Sequence, residues 1–282
     1  MNVSEKTDQA AKSIEEFGYA VIKNVFSEEE ANCFLKEISQ ANKKSKINFK
    51  GITVSRSHFL HISEIFLNIL SQDQIFSLCQ RICGDRCRMD HAFYAHCKRN
   101  ENIKKGESLV NKSLGSGIHG GVNCAWGMNF YRSGYPININ FPRTNRLNIH
   151  ISLTDTGIYR GGLQLIPSTH VGNYNFPMCK GDCVPMNGDA INADLDNILI
   201  PQSKKGDIII FLDSLLHGTS FHRFDRHNLY FMITSAFTSM YPYSMTNKKI
   251  AHLAKNDRQK QMLAEPCAVP EGSLHRTLGS IQ

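Results

Sequence analysis

The first part of the chain has the spacing of apolar residues that helices need. The pattern over residues 10–17 predicts a helix that ends at Gly18, because glycine adopts the left-handed backbone of a helix end without strain. Residues 19–25 are rich in β-branched and aromatic types, which predicts a strand. Ser27 and Glu30 form a capping box that opens a further helix.

A third helix is predicted over residues 62–83, where apolar residues again recur at helical spacing. The pattern changes after about residue 86, where short segments are separated by Gly- and Pro-containing turns. Residues 148–153 alternate polar and apolar, and so do residues within 228–237, as strands do. Residues 208–212 are continuously apolar, which is typical of a strand buried on both faces. Early helices followed by many short strands predict an α+β protein with a sandwich or barrel of strands.

We interpret residues 1–282 as a single domain, which is compatible with its apolar content of 41% and charged content of 20%. The expected parts are a helical flank over 1–85, a β core over 86–240 and a C-terminal extension over 241–282. No apolar run approaches the roughly 20 residues of a membrane helix, so we expect no membrane association. The polar N-terminus does not resemble a secretory signal, and the expected location is cytoplasmic.

The net charge of +7 is not concentrated in a basic block. A nucleic-acid polymer is therefore not an expected partner, whereas a small anionic substrate is compatible with the charge.

The nine cysteines are an odd number, a poor basis for a disulfide framework. Cys79, Cys83 and Cys87 recur at a spacing of four, which predicts buried thiols near one face of a helix. The sequence does not determine the oligomeric state.

Two of the twelve histidines stand out by their context. His119 lies in the glycine-rich segment 115–121, and His217 follows the apolar run 208–212. They are 98 positions apart, and a segment of that length can supply several strands that bring two imidazoles together. Neutral imidazole is a good ligand for iron, among other metals.

Four segments, in this order, resemble the phytanoyl-CoA dioxygenase family of iron(II)- and 2-oxoglutarate-dependent oxygenases. They are the opening phrase at 17–27, the histidine at 119, the block 147–170 with its Gly-Gly-Leu and Ile-Pro-Ser-Thr-His sequences, and the Gly-Asp to His-Gly-Thr segment at 206–219. The resemblance implies a double-stranded β-helix, also called a jelly roll or cupin-like fold. It also implies Fe(II) and 2-oxoglutarate as cofactors, with His119 and His217 as the iron ligands.

The resemblance implies that two further residues bind the co-substrate 2-oxoglutarate. Thr219 stands where the family has a serine whose hydroxyl reaches the co-substrate carboxylate. Arg226, nine positions after His217, is expected to bind the distal carboxylate of 2-oxoglutarate, since guanidinium is a planar bidentate donor. Arg223 is the competing candidate. On a strand these two arginines would face opposite ways, because their positions differ by an odd number.

The chain departs from the family at Gly121, where the family has the carboxylate that completes the iron site. His119-Gly120-Gly121 resembles the H-x-G form of radical halogenases, in which chloride takes the vacant position. Water could fill that position instead, giving a hydroxylase. Iron binding could also be lost, giving a non-catalytic binding relative. Asp155 and Asp213 are weaker candidates for a replacement ligand.

The expected function is therefore oxidation of an unactivated C–H bond in a small molecule, with halogenation as the more specific hypothesis. A metal hydrolase ranks last, because no carboxylate or water-activating base stands at motif spacing. The glycines around His119 are also compatible with a plain turn, in which case His119 has no role in chemistry.

Overall fold

The computed structural model describes residues 3–45, 53–56, 58–97, 118–119, 146–158, 160–171, 197–220, 223–236 and 247–266. The helices of this part are α1 (Val3–Phe17), α2 (Glu28–Ser45), α3 (Glu64–Ile69), α4 (Asp73–Cys83) and α5 (Asp257–Met262). Its strands are β1 (Tyr19–Ile22), β2 (Thr53–Arg56), β3 (Arg88–Cys97), β4 (Ile118–His119), β5 (Arg146–Ser152), β6 (Leu163–Leu165), β7 (Ile208–Leu212), β8 (His217–Thr219) and β9 (Arg226–Thr234).

α1 ends and α2 begins where the sequence predicts, but α1 begins at Val3, seven residues before the predicted start. α1 stops at Gly18, which has φ +83° and donates its N–H to the Ile14 carbonyl at 2.9 Å. At the start of α2 the Ser27 hydroxyl accepts from the Glu30 N–H at 3.1 Å, and the Glu30 carboxylate accepts from the Ser27 N–H at 2.7 Å. The predicted capping box is confirmed.

The prediction of a single helix over 62–83 is wrong, because the chain forms α3 and α4 with a turn between them. The Leu70, Ser71 and Gln72 N–H groups each bond a carbonyl three residues back, which tightens and ends α3. The Gln72 side chain then accepts from the Ile75 N–H at 2.8 Å and caps the start of α4. The sequence did not predict this break because glutamine is an uncommon helix cap and because apolar residues continue at helical spacing on both sides of it.

The strands form two antiparallel sheets. The larger has six strands in the order β1-β7-β5-β9-β3-β2, and the smaller has three in the order β4-β8-β6. One apolar core lies between the helices and the larger sheet, and a second joins Ile209 and Phe211 of β7 to Leu163, Leu165 and Leu215. The two sheets therefore face each other across the second core, as in the predicted double-stranded β-helix.

Every residue of β5 is buried, although its sequence alternates polar and apolar. Leu147, Ile149 and Ile151 belong to the core beneath the helices. The intervening polar residues lie on the opposite face, since His150 is the register partner of Ile209. The polar face of the strand therefore points between the two sheets, where sequence alternation alone would have suggested solvent.

The N-terminal flank adds β1 and β2 to the two edges of the larger sheet. Cys79, Cys83 and Cys87 are buried and unbridged, as expected, but Cys87 does not share their helix because α4 ends at Cys83. Burial raises the pKa of the Cys87 thiol to about 11. Within the described ranges, no helix has the length and hydropathy that crossing a membrane requires.

Candidate active site

The two histidines selected from the sequence are neighbours across the smaller sheet. β4 and β8 are antiparallel, and His119 is the direct register partner of His217. Directly opposed positions of an antiparallel pair share one face of the sheet, with Cβ atoms about 5 Å apart. The fold thus joins two positions that are far apart in the chain.

The His217 side chain has the arrangement of a metal-ligating imidazole. Its Nδ1 lies 2.7 Å from the Leu215 carbonyl, which can only accept, so Nδ1 carries the proton and the ring lone pair is on Nε2. Such a backbone contact is the usual support of a histidine that binds metal through its other nitrogen. Burial is the main cause that lowers the pKa of His217, which favours the neutral ring.

Arg226 begins β9 and is only 3% exposed. Its guanidinium donates to the Gly161 carbonyl and to the Cys97 thiol, 3.0 Å away. Its Nε donates at 3.0 Å to the Asn228 amide oxygen, in the amide orientation that satisfies the neighbours of Asn228. Among the residues that the structure describes, no carboxylate pairs with this buried cation, although an isolated buried charge is costly. The environment therefore fits an anionic ligand.

Arg223, the competing arginine, lies in the loop before β9 and is partly exposed. Thr219, the residue at the serine position of the family motif, ends β8 opposite Leu163 and is partly buried. Of the two arginines considered for the distal carboxylate of 2-oxoglutarate, Arg226 is therefore the more deeply buried.

Three buried side chains lie around Arg226, and two of them, Asn228 and Tyr230, were not singled out as site residues by the sequence. Asn228 bridges Arg226 and the His150 ring, whose Nε2 accepts its amide at 3.2 Å. Tyr230 packs its ring edge-to-face on His150 at 4.8 Å. Burial, helped by the nearby charge of Arg226, lowers the pKa of His150 to about 3, so this ring is neutral. The sequence did contain a signal for two of them, because residues 226, 228 and 230 of a strand point to the same face.

The two aspartates considered as replacement iron ligands have other partners. Asp213 lies 3.2 Å from the Arg146 guanidinium and accepts from the Asn148 amide at 3.1 Å. Asp155 accepts from the Lys205 N–H at 3.1 Å, which braces a loop. Gly121, the position that lacks the family carboxylate, lies outside the described residues.

The residues present fit iron and 2-oxoglutarate. Two histidine positions are register partners on neighbouring strands of the smaller sheet, and the His217 ring, in its neutral form, has its lone pair on Nε2. A buried guanidinium without a described carboxylate partner suits the distal carboxylate of the co-substrate.

The family model described as phytanoyl-CoA dioxygenase (PhyH) matches residues 14–224. No curated protein sequence matches the chain. A solved structure of the epimerase SnoN in complex with Fe3+, alpha ketoglutarate and nogalamycin RO is 15% identical, with a TM-score of 0.58 over 83% of this chain and 85% of that one.

Two other solved structures give similar values. The non-heme alpha ketoglutarate dependent carbocyclase SnoK is 17% identical, with a TM-score of 0.58 over 84% of this chain and 87% of that one. HygX from Streptomyces hygroscopicus, with nickel and 2-oxoglutarate bound, is 14% identical, with a TM-score of 0.58 over 83% of this chain and 89% of that one. These likenesses confirm the double-stranded β-helix. Because the family model spans most of the sequence, the chain belongs to the phytanoyl-CoA dioxygenase family and is a 2-oxoglutarate-dependent non-haem iron enzyme.

Proposed function

We propose that this enzyme holds iron(II) with His119 and His217, anchors 2-oxoglutarate on Arg226, and oxidises an unactivated C–H bond of a small molecule. The observation that carries the proposal is the burial of Arg226 with no carboxylate partner in the described chain. Thr219, at the end of β8, is proposed to donate its hydroxyl to the same carboxylate.

Arg226 suits this role because a guanidinium can donate two parallel hydrogen bonds to one carboxylate. Its contacts with Gly161 and Cys97 hold the group in place, and Asn228 supports its Nε. Among the residues that the structure describes no carboxylate neutralises this charge, and the co-substrate would supply one. Arg226 is already desolvated in the fold, so its attraction to the carboxylate is screened less than that of an exposed arginine.

The two buried histidine rings near the proposed site both favour the neutral form. Neutral His150 cannot repel Arg226, and the pKa of His217 is lowered, which leaves its lone pair for metal. Phe211 packs against the His217 ring at 4.7 Å and shields it from water. When bound, iron and 2-oxoglutarate with dioxygen supply the oxidising power for C–H cleavage, and the co-substrate leaves as succinate and carbon dioxide.

Gly121 favours halogenation as the more specific form of this function. Glycine offers no ligand where the family has a carboxylate, so chloride can complete the charge balance of the site. The substrate hydrogen would then be replaced by chlorine, with water as the further product. If water takes that position instead, the same residues support hydroxylation.

The substrate is proposed to be a small molecule. SnoN was crystallised with nogalamycin RO, a ligand of that protein. An anionic substrate is compatible with the net charge of +7, and a cytoplasmic location remains the expectation from the sequence.

The decisive experiment is an anaerobic titration of the purified protein with iron(II) and 2-oxoglutarate, followed by visible absorption. A charge-transfer band is expected from the iron–co-substrate chelate. Arg226→Lys keeps the charge but loses the planar fork, so the affinity for 2-oxoglutarate should fall at least about 30-fold, the low end for a buried charge pair. Arg223→Lys is the matched control and should retain the affinity.

Chloride decides between the two forms of the function. Tighter binding or a band shift with chloride supports halogenation, and Gly121→Asp should bind iron more strongly and lose that chloride dependence. An unchanged iron affinity in Gly121→Asp would mean that residue 121 is not the ligand position. No band in either buffer would leave a metal-free binding protein on this fold, and an equal loss of affinity in Arg223→Lys would refute the assignment of Arg226.

A further inference from the structure

A second group of potential metal ligands lies on the face of the larger sheet opposite to Arg226. His96 of β3, His227 of β9 and Asp225, which immediately precedes β9, bring three potential ligand atoms within 4.8 Å of one another. His96 and His227 are direct register partners, and their rings stack at 4.2 Å.

The cluster is separate from the proposed iron site. Arg226 and His227 are adjacent on one strand, so their side chains point to opposite faces of the sheet. Tyr94, which contacts His227, belongs to the core beneath the helices, whereas Arg226 contacts Cys97 and Gly161. The cluster therefore lies at one end of the face that the helices cover.

The ligand chemistry is that of a transition-metal site. Two imidazoles and one carboxylate form a donor set that suits divalent zinc, iron, nickel or copper. The Asp225 carboxylate is 3.5 Å from His96 Nε2, and its side chain is 56% exposed, so an ion has an entry path from solvent. We propose that His96, Asp225 and His227 bind a divalent first-row transition metal ion, of which zinc is the reference case.

Two further observations support a metal here over a stacked histidine pair alone. His96 Nε2 is buried and makes no hydrogen bond with any residue that the structure describes. A buried ring nitrogen in that condition has a desolvation cost that a metal bond would offset. Tyr94 Oη lies 2.6 Å from His227 Nδ1, and with Nδ1 as the donor of that contact the lone pair of the ring is on Nε2, which would bind the ion.

Bound metal would act as a clamp on the proposed co-substrate site. It would tie β3 to β9 at the register pair His96 and His227, next to the pair Cys97 and Arg226, where the Cys97 thiol contacts the guanidinium. Asp225 and His227 flank Arg226 in the chain, so fixing their side chains fixes the backbone from which Arg226 projects.

Cobalt(II) is the probe for this site, because its visible bands report the number and type of ligands and it replaces zinc and iron. The untagged, metal-stripped protein is titrated anaerobically with cobalt(II) in the presence of 2-oxoglutarate. The wild type should bind two equivalents, and His217→Ala should retain one. Asp225→Asn should weaken the second site at least about tenfold, and this exposed, isosteric change leaves the fold intact.

His227→Gln should abolish the same equivalent, and His252→Gln, which alters an exposed histidine, is the matched control and should bind like the wild type. The doubly substituted His217→Ala/Asp225→Asn protein should bind no cobalt tightly. Zinc should raise the melting temperature of His217→Ala but not of the double variant. Unchanged stoichiometry and spectrum in both Asp225→Asn and His227→Gln would overturn the proposal.

The outcome is independent of the proposed function. Failure of the iron site would leave one equivalent that His217→Ala does not affect and Asp225→Asn removes. Conversely, loss of the iron–2-oxoglutarate band in Asp225→Asn, with the band retained in His217→Ala, would place the iron itself at this cluster and overturn the assignment of His119 and His217 as its ligands.

Discussion

The two faces of the six-stranded sheet are built from alternate residues of the same strands, yet they have opposite character. The face beneath the helices is apolar, with Leu147, Ile149 and Ile151 of β5 and Leu229, Phe231 and Ile233 of β9. The face toward the smaller sheet carries Asn148, His150 and Ser152 of β5 and Arg226, Asn228 and Tyr230 of β9, all buried as well. Hydrophobic burial stabilises the fold on one side, and the other side carries the buried polar groups that we propose hold the co-substrate.

The largest expected effect is on the helix-covered face. Phe231 is 1% exposed and packs edge-to-face on Phe59 at 5.7 Å. Phe231→Ala should lower the free energy of unfolding by about 3–5 kcal/mol, because it removes a buried ring and leaves a cavity. Urea denaturation measures this, with Phe224→Ala, at a 51% exposed ring, as the control that should change little. Similar losses in both variants would mean that this face does not supply the stability of the fold.

On the face toward the smaller sheet, removing a charge that lacks a described partner is not expected to lower the free energy of unfolding. Arg226→Met removes a buried cation without a described counter-ion, so stability should stay unchanged or rise by about 1–4 kcal/mol. Arg146→Met is the matched comparison on the same face. Arg146 pairs with Asp213 at 3.2 Å, so this variant should be less stable than the wild type because Asp213 loses its partner. Thermal unfolding with and without 2-oxoglutarate completes the test: the co-substrate should stabilise the wild type and not Arg226→Met. A large loss of stability in Arg226→Met would show that its present contacts already compensate the charge.

Sequence patterns predicted the elements whose signals are local. Gly18 ends α1 and the Ser27–Glu30 box opens α2 because each acts within one helical turn. The apolar run at β7 could be read as a buried strand for a similar reason. The break between α3 and α4 was missed because a Gln72 cap has little signature in sequence, while apolar residues continue on both sides of it.

Site residues that depend on strand register were harder to predict. The family motif selected His119, His217 and Arg226, but the grouping of Asn228, Tyr230 and His150 follows from how β5 pairs with β9. The stack of His96 on His227 likewise requires the register of β3 with β9, which no spacing in the sequence encodes. The iron-binding roles of His119 and His217 remain predictions, as does the single-domain organisation.

The polar face should also make the protein sensitive to acid. The pKa of His150 is lowered by burial to about 3, below the usual value of about 6.5, so the folded state favours the neutral ring. This contribution to stability is complete above about pH 6.5 and is lost as the pH falls toward 3, at about 1.4 kcal/mol per pH unit. His150→Gln should flatten the dependence of unfolding free energy on pH in this window, and His252→Gln, at an exposed site, should not. Parallel pH profiles for wild type and His150→Gln would show that this ring does not carry the effect.

The smallest predicted effect tests whether the helical layer contributes apart from its contact with the sheet. Ser27→Ala removes the hydroxyl that accepts from the Glu30 N–H, at an exposed helix start away from both faces. Stability should fall by about 1 kcal/mol, the usual cost of losing a serine cap. Ser27→Asp keeps an acceptor at the same point and should restore most of the loss in the same urea titration. If Ser27→Ala instead matched the loss in Phe231→Ala, the start of α2 would be as important to the fold as the core beneath it, and the contrast between the two faces would not account for stability.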